Sequence, residues 1–240
     1  MKWRPAWSLI RHMVFRRPAG PVQLTYFVTS KCNAKCIHCF YKENLNKGED
    51  LSFDEIKKIT ENLPSLYFLV ISGGEPFLRE DLADIIIAYY NNTGVNEVVI
   101  PTNGFLSDKI VMCCKKILTS CPGLEVSLVI SLDGPADIHD KIRGVPGGFE
   151  KAVKTFFEMK KLKHANTQLK ISILSTLMSF NQLVMIDFLK FVKSDLKPDA
   201  FSVNFLRAGA KDPDLKDVRI ENLKMILDIE EQELGKGGGL

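Results

Sequence analysis

Residues 23–41 read Q-L-T-Y-F-V-T-S-K-C-N-A-K-C-I-H-C-F-Y, an apolar strand-like run over Gln23–Val28 followed at once by Cys32, Cys36 and Cys39. The C-x3-C-x2-C spacing packs three cysteines into one short loop. Thiolates this close converge on metal more readily than they pair as disulfides. Their number is informative. A structural zinc ion is closed by four ligands, and a cluster kept only for electron transfer usually has four cysteines. Three cysteines leave one iron of a four-iron, four-sulfur cluster open to a further ligand.

Blander readings of the loop stay open at this point. Zinc with His38 as fourth ligand would crowd His38 and its two flanking cysteines onto one ion, and the second ligand pair of a zinc ribbon is missing. Buried structural cysteines fit poorly with the polar flanks Asn33, Lys35, Lys42 and Glu43. A disulfide would leave an odd thiol and needs an oxidising compartment, for which no signal peptide is read.

A chain of 240 residues, 45% hydrophobic and 25% charged, can bury a sizeable core in one large α/β domain or two small ones. A formal charge of +3 is too small to imply a nucleic-acid partner. Much of it sits in residues 1–20, a basic extension with Lys2, Arg4, Arg11, Arg16 and Arg17 and no acid. Trp3, Trp7, Ile10 and Val14 share one helical face there, which suits either peripheral contact with an anionic membrane or a helix closing the bottom of the main domain. Pro5 and the short length favour the second. No run approaches the roughly 18 apolar residues of a membrane span. The cysteine usage points to a reducing cytoplasm.

Beyond residue 21 strand and helix patterns alternate. Strands are expected at Gln23–Val28, Tyr67–Ile71, Glu97–Ile100, Glu125–Ser131, Leu169–Leu174 and Phe201–Leu206. Helices are expected after the Ser52–Glu55 capping box and over Asp81–Tyr90, Ser107–Leu118, Phe149–Leu162 and Leu183–Val192. Six βα units imply a parallel sheet covered by helices with right-handed connections, either open and doubly wound or curled into a partial barrel.

A parallel sheet gathers its chemistry at the carboxyl ends of the strands, and the unusual residues fall there. After the second strand comes Ser72-Gly73-Gly74-Glu75-Pro76, a close-approach loop with a carboxylate suited to an ammonium. Thr102-Asn103-Gly104 follows the third. Ser131-Leu132-Asp133-Gly134 follows the fourth, with a hydroxyl and a carboxylate suited to a ribose. Arg143, in His139–Gly144, offers a guanidinium to a carboxylate. Each loop alone reads equally well as a turn. Their recurrence describes a site for a nucleoside joined to an amino acid.

C-N-A-K-C-I-H-C, G-G-E-P and S-L-D-G together resemble the radical S-adenosylmethionine (SAM) superfamily. The R-G-x-x-G-G-F run resembles its branch of peptide-modifying enzymes, anaerobic sulfatase maturases and molybdenum-cofactor biosynthesis protein A. The resemblance covers about residues 21–207 and implies an α/β fold, a parallel-stranded partial (β/α)6 barrel. It implies that Cys32, Cys36 and Cys39 hold a 4Fe–4S cluster whose open iron is chelated by the amino and carboxylate groups of SAM. His38 would lie beside the adenine, Gly74 and Glu75 would hold the amino group, Ser131 and Asp133 the ribose end, and Arg143 the carboxylate. Reductive cleavage of SAM to a 5′-deoxyadenosyl radical would then permit hydrogen abstraction from a substrate, with peptide or protein modification favoured over a small metabolite. An electron donor such as flavodoxin or ferredoxin is implied as partner.

Two departures stand out. The fifth strand lacks the glycine pattern many members place under the adenine, so no residue is assigned there. No cysteine follows Cys121, although the peptide-modifying branch often carries an auxiliary-cluster domain. Residues 208–240, a charged helical tail ending in a glycine-rich segment, read either as the end of a single-cluster enzyme or as the start of a missing C-terminal domain. Cys113, Cys114 and Cys121 read as packing residues. The alternatives from other classes are a non-catalytic metal-binding or electron-transfer module and a truncated SAM-binding protein.

Overall fold

Alternating β-branched and apolar residues form six strands, β1 (Gln23–Thr29), β2 (Phe68–Gly73), β3 (Glu97–Thr102), β4 (Glu125–Ser131), β5 (Leu169–Leu177) and β6 (Ala200–Phe205). They pair in chain order, every neighbour parallel. The helices are α1 (Phe53–Asn62), α2 (Leu82–Thr93), α3 (Ser107–Ser120), α4 (Ala136–Arg143), α5 (Gly148–His164) and α6 (Met185–Phe191). The structure is a computed structural model that describes residues 21–206 and 213–226. The basic segment 1–20 and the rest of the 208–240 tail lie outside the described residues.

Strand parity decides between the two sheet shapes. Leu69, Ile71, Val98, Ile100, Val126, Leu128, Ile130, Ile171 and Ile173 are wholly buried in the core they form with the helices. Residues of the other parity, among them Thr25, Val70, Val99, Val129, Leu174 and Asn204, line one shared cavity of about 640 Å³. A doubly wound sheet would carry helices on both faces. Here one face encloses a space and β1 and β6 are not paired, so the sheet is a partial (β/α)6 barrel.

The Ser52–Glu55 capping box forms as expected, with the Ser52 and Glu55 side chains each meeting the other's backbone N–H. Phe156, fully buried on α5, fills the layer where α5 packs on α3. Cys114 and Cys121 are buried in the same core and Cys113 is half-buried against it.

Helix α4 was not among the expected helices, because only Ile138 and Ile142 mark an apolar stripe on it. Lys141 and Arg143 in its last turn face the negative end of the helix dipole, and Gly144 stops it with φ +65°. Ile142 joins Met178 and Leu215 in a small second cluster, and Ile226 is buried in the main core, so residues 213–226 pack on the barrel. No described helix is long and apolar enough to cross a membrane.

Phe156→Ala should lower unfolding free energy by about 3–5 kcal/mol in urea titrations. A loss under about 1 kcal/mol would show that α5 is not clamped by this ring.

Candidate cofactor site

The loop carrying Cys32, Cys36 and Cys39 has no regular secondary structure and is held by its neighbours. Asp50 accepts from the Thr29 hydroxyl at 2.7 Å and the Ser30 N–H at 3.0 Å. Asn46 accepts from Cys32 N–H at 3.0 Å. Gly74 N–H donates to Thr29 O and Glu75 N–H to Lys31 O, both at 2.8 Å. Asn103 donates through Nδ2 to Asn33 Oδ1 at 2.7 Å. On the other side Lys35 and Ile37 N–H donate to the carbonyls of Arg143 and Ile142 at 2.9 Å.

Two glycines make these approaches feasible. A Cβ on Gly74 would lie closer than 3.0 Å to Lys31 O, and one on Gly144 would meet Lys35 O at 2.9 Å. Both obstacles are backbone and have little room to yield.

All three cysteines and His38 line the cavity. Burial pushes the Cys32 thiol up to about 11 and raises that of Cys39. Among the described residues no three Cys, His, Asp or Glu side chains gather as ligands of one ion. A four-iron cluster instead takes one thiolate per iron, so three separate thiols on one wall suit it, with one iron left open.

Glu75 is buried and accepts from the Thr102 hydroxyl at 2.8 Å, Asn103 N–H at 2.8 Å and Phe77 N–H at 3.3 Å. No cationic side chain forms an ion pair with it among the described residues. Burial raises its carboxyl to about 7, against the pull of those three hydrogen bonds. A ligand ammonium would supply the missing countercharge.

Arg143 lines the cavity with Nε 2.7 Å from Asp133 Oδ2 and Nη1 3.8 Å from Cys36 Sγ. Burial disfavours its charge, but the Asp133 carboxylate and Cys36 together act against burial and keep its pKa raised. Burial also pushes His38 down to about 4, which leaves its ring neutral, and its buried Nδ1 has no partner among the described residues. A neutral aromatic ring on the wall suits a flat heterocycle.

Eight of the nine residues picked out by sequence therefore face one cavity: Cys32, Cys36, Cys39, His38, Gly74, Glu75, Ser131 and Arg143. Asp133 does not. It is wholly buried behind Arg143, its two carboxylate oxygens held by Arg143 Nε and Thr176 N–H. Sequence assigned no role to Thr102 and Asn103, which anchor Glu75, or to Leu174, Thr176 and Asn204 on the far wall. The Thr102-Asn103-Gly104 turn was the visible signal for the first pair. For β5 and β6 only strand parity would have served.

A one-sided parallel barrel whose strand-end loops bring three thiols, a buried carboxylate with no ion pair among the described residues and a guanidinium to one cavity suits a cluster and a nucleoside. The pattern of the radical SAM superfamily matches residues 26–182, and the chain belongs to that superfamily. It is 34% identical over 156 residues to the Fe-coproporphyrin III synthase of Methanosarcina barkeri, covering 63% of this chain and 37% of that one. It is 30% identical over 170 residues to the mycofactocin maturase MftC of Mycolicibacterium smegmatis, covering 68% and 40%. The solved structure of native anSMEcpe with bound AdoMet and Cp18Cys peptide shares the fold at a TM-score of 0.67 and 20% identity, covering 92% of this chain and 62% of that one. The chain thus spans less than half the length of these two relatives. Members of the superfamily are enzymes that use a 4Fe–4S cluster and SAM.

Gly74→Ala should fold yet take up several-fold less iron on anaerobic reconstitution, because the new Cβ drives Lys31 and the cysteine loop away. Full iron content would show that the loop tolerates the displacement. The Glu75 carboxyl, raised from 4.5 to about 7, disfavours the folded state as pH rises through that window. In cofactor-free protein, Glu75→Gln should therefore gain on the wild type by on the order of a few kcal/mol between about pH 5 and 8. Parallel melting curves for the two proteins would contradict the assignment.

Proposed function

We propose that Cys32, Cys36 and Cys39 hold the cluster, that Gly74 and Glu75 receive the amino group of SAM and Arg143 its carboxylate, and that Ser131 meets the ribose and His38 the adenine. The observation that carries this reading is the meeting of three thiols, a buried carboxylate lacking a cation and a guanidinium on one cavity wall. When bound, the reduced cluster supplies the electron that splits the SAM sulfonium into methionine and a 5′-deoxyadenosyl radical, which takes a hydrogen atom from the substrate. The chain's own part is orientation and exclusion of water: Glu75 and Arg143 fix opposite ends of the amino-acid moiety, and the valines of β2, β3 and β4 keep the wall dry.

The substrate we favour is a peptide or protein. Among the described lining residues Glu75 and Arg143 alone carry charge, and the rest of the wall, including Thr25, Thr176 and Asn204, is neutral. A neutral wall supports entry of an uncharged side chain in preference to a polyanion. The relative named a maturase and the peptide-bound neighbour agree with this choice, whereas the relative named a porphyrin synthase stands for the small-metabolite option. A flavodoxin or ferredoxin in a reducing cytoplasm would serve as electron donor.

The test is anaerobic reconstitution with iron and sulfide, then reduction by dithionite with SAM and mass-spectrometric assay of 5′-deoxyadenosine. The wild type should form it. Cys32→Ala, Cys36→Ala and Cys39→Ala should each fall below detection, and Cys113→Ala should keep both iron and product. A full cluster without product, or zinc in place of iron, would overturn the proposal.

A further inference from the structure

Asp133 sits in the S-L-D-G loop yet reaches no ligand space, being wholly buried. Its polar groups are tied to two pieces of the fold, helix α4 and the end of β5 with the turn that follows. Its N–H donates to His139 Nδ1 at 3.2 Å, and its carbonyl accepts from Asn181 Nδ2 at 2.7 Å. Oδ1 accepts from Thr176 N–H at 2.8 Å and Oδ2 from Arg143 Nε at 2.7 Å. The two struts are rigid in turn. His139 is buried between the rings of Phe105 and Phe149, with centroids 6.3 and 6.0 Å away. Asn181, also buried, donates to Thr176 O at 2.9 Å and accepts from Met178 N–H at 2.9 Å.

A ribose contact would require Asp133 to abandon two hydrogen bonds in a site closed to solvent, leaving a buried charge unpaired. Its grip on Arg143 has the opposite effect. It engages Nε, which leaves Nη1 beside the Sγ of Cys36, itself a lining residue of the cavity, and Nη2 without a partner among the described residues. A long arginine side chain otherwise loses considerable rotamer entropy when a ligand fixes it. Here that loss is taken on folding.

We infer that Asp133 is a positioning residue, braced by His139 and Asn181, that aims the Arg143 guanidinium at the carboxylate of bound SAM. The inference rests on the reading that this cavity binds SAM. It predicts a coupling specific to one ligand group, which general loosening of the site would not produce.

The experiment measures dissociation constants of SAM and of decarboxylated SAM by anaerobic equilibrium dialysis against cluster-loaded protein without reductant, with iron content and melting temperature as controls. Asp133→Asn should weaken SAM about tenfold and decarboxylated SAM less than about twofold, since only the first carries the group that Arg143 meets. Equal weakening of both ligands would overturn the inference, because a ribose contact or a collapsed site acts on both. If Asp133→Asn does not fold, Asp133→Glu, which keeps the charge but shifts it by one methylene, should show the same selective loss on a smaller scale; equal loss again overturns it. Wild-type protein that is fully loaded yet binds neither ligand would instead overturn the SAM reading beneath it.

Discussion

A loop without regular structure must find partners for its backbone outside itself, and the cysteine loop finds them on the strand ends beside it. The contact of Gly74 and Glu75 with Thr29 and Lys31 is the tightest of these, since no side chain larger than hydrogen fits at Gly74. From it follow the positions of the thiols, and the placement of Glu75 under the β3 turn. The Ile142 and Arg143 carbonyls close the other side. The helix end that carries the guanidinium therefore also carries the loop, so any shift of α4 moves two parts of the site together.

The barrel adds an environment that the loops could not make alone. Strand residues facing the helices are large and sealed, whereas those facing inward are shorter or polar and enclose the cavity. Burial strengthens the attraction between Asp133 and Arg143 beside it. Burial raises the Glu75 carboxyl to about 7, and Asp133 lies beside the buried Arg143 as its ion-pair partner.

Much of this was legible in the sequence, for identifiable reasons. Strands such as Glu125–Ser131 carry strong β-branched patterns, and the glycines and cysteines mark strand-end loops by residue type alone. Periodicity alone left partial closure open, because a parallel strand with an apolar outer face reads the same over a core and over a cavity; the resemblance carried by the loop motifs supplied it. Helix α4 escaped because its stabilisation comes from a glycine stop and from packing of Ile142 on Met178 and Leu215, distant in sequence. Asp133 was placed among ligand contacts by its neighbourhood in the chain. Its actual direction depends on Thr176 and Asn181, which approach it only through the β4–β5 pairing.

In a closed barrel, strand number and stagger together set the radius, so the width of the interior is a fixed property of the sheet. Here β1 and β6 do not meet, and no such equation holds. The β1–β4 side is locked by the loops that gather the thiols, the carboxylate and the guanidinium. The β5–β6 side is joined to it by the β4–β5 ladder and by the bonds of Thr176 and Asn181 to Asp133. The width of the interior is held by side-chain bonds across the β4–β5 junction and not by closure of the sheet.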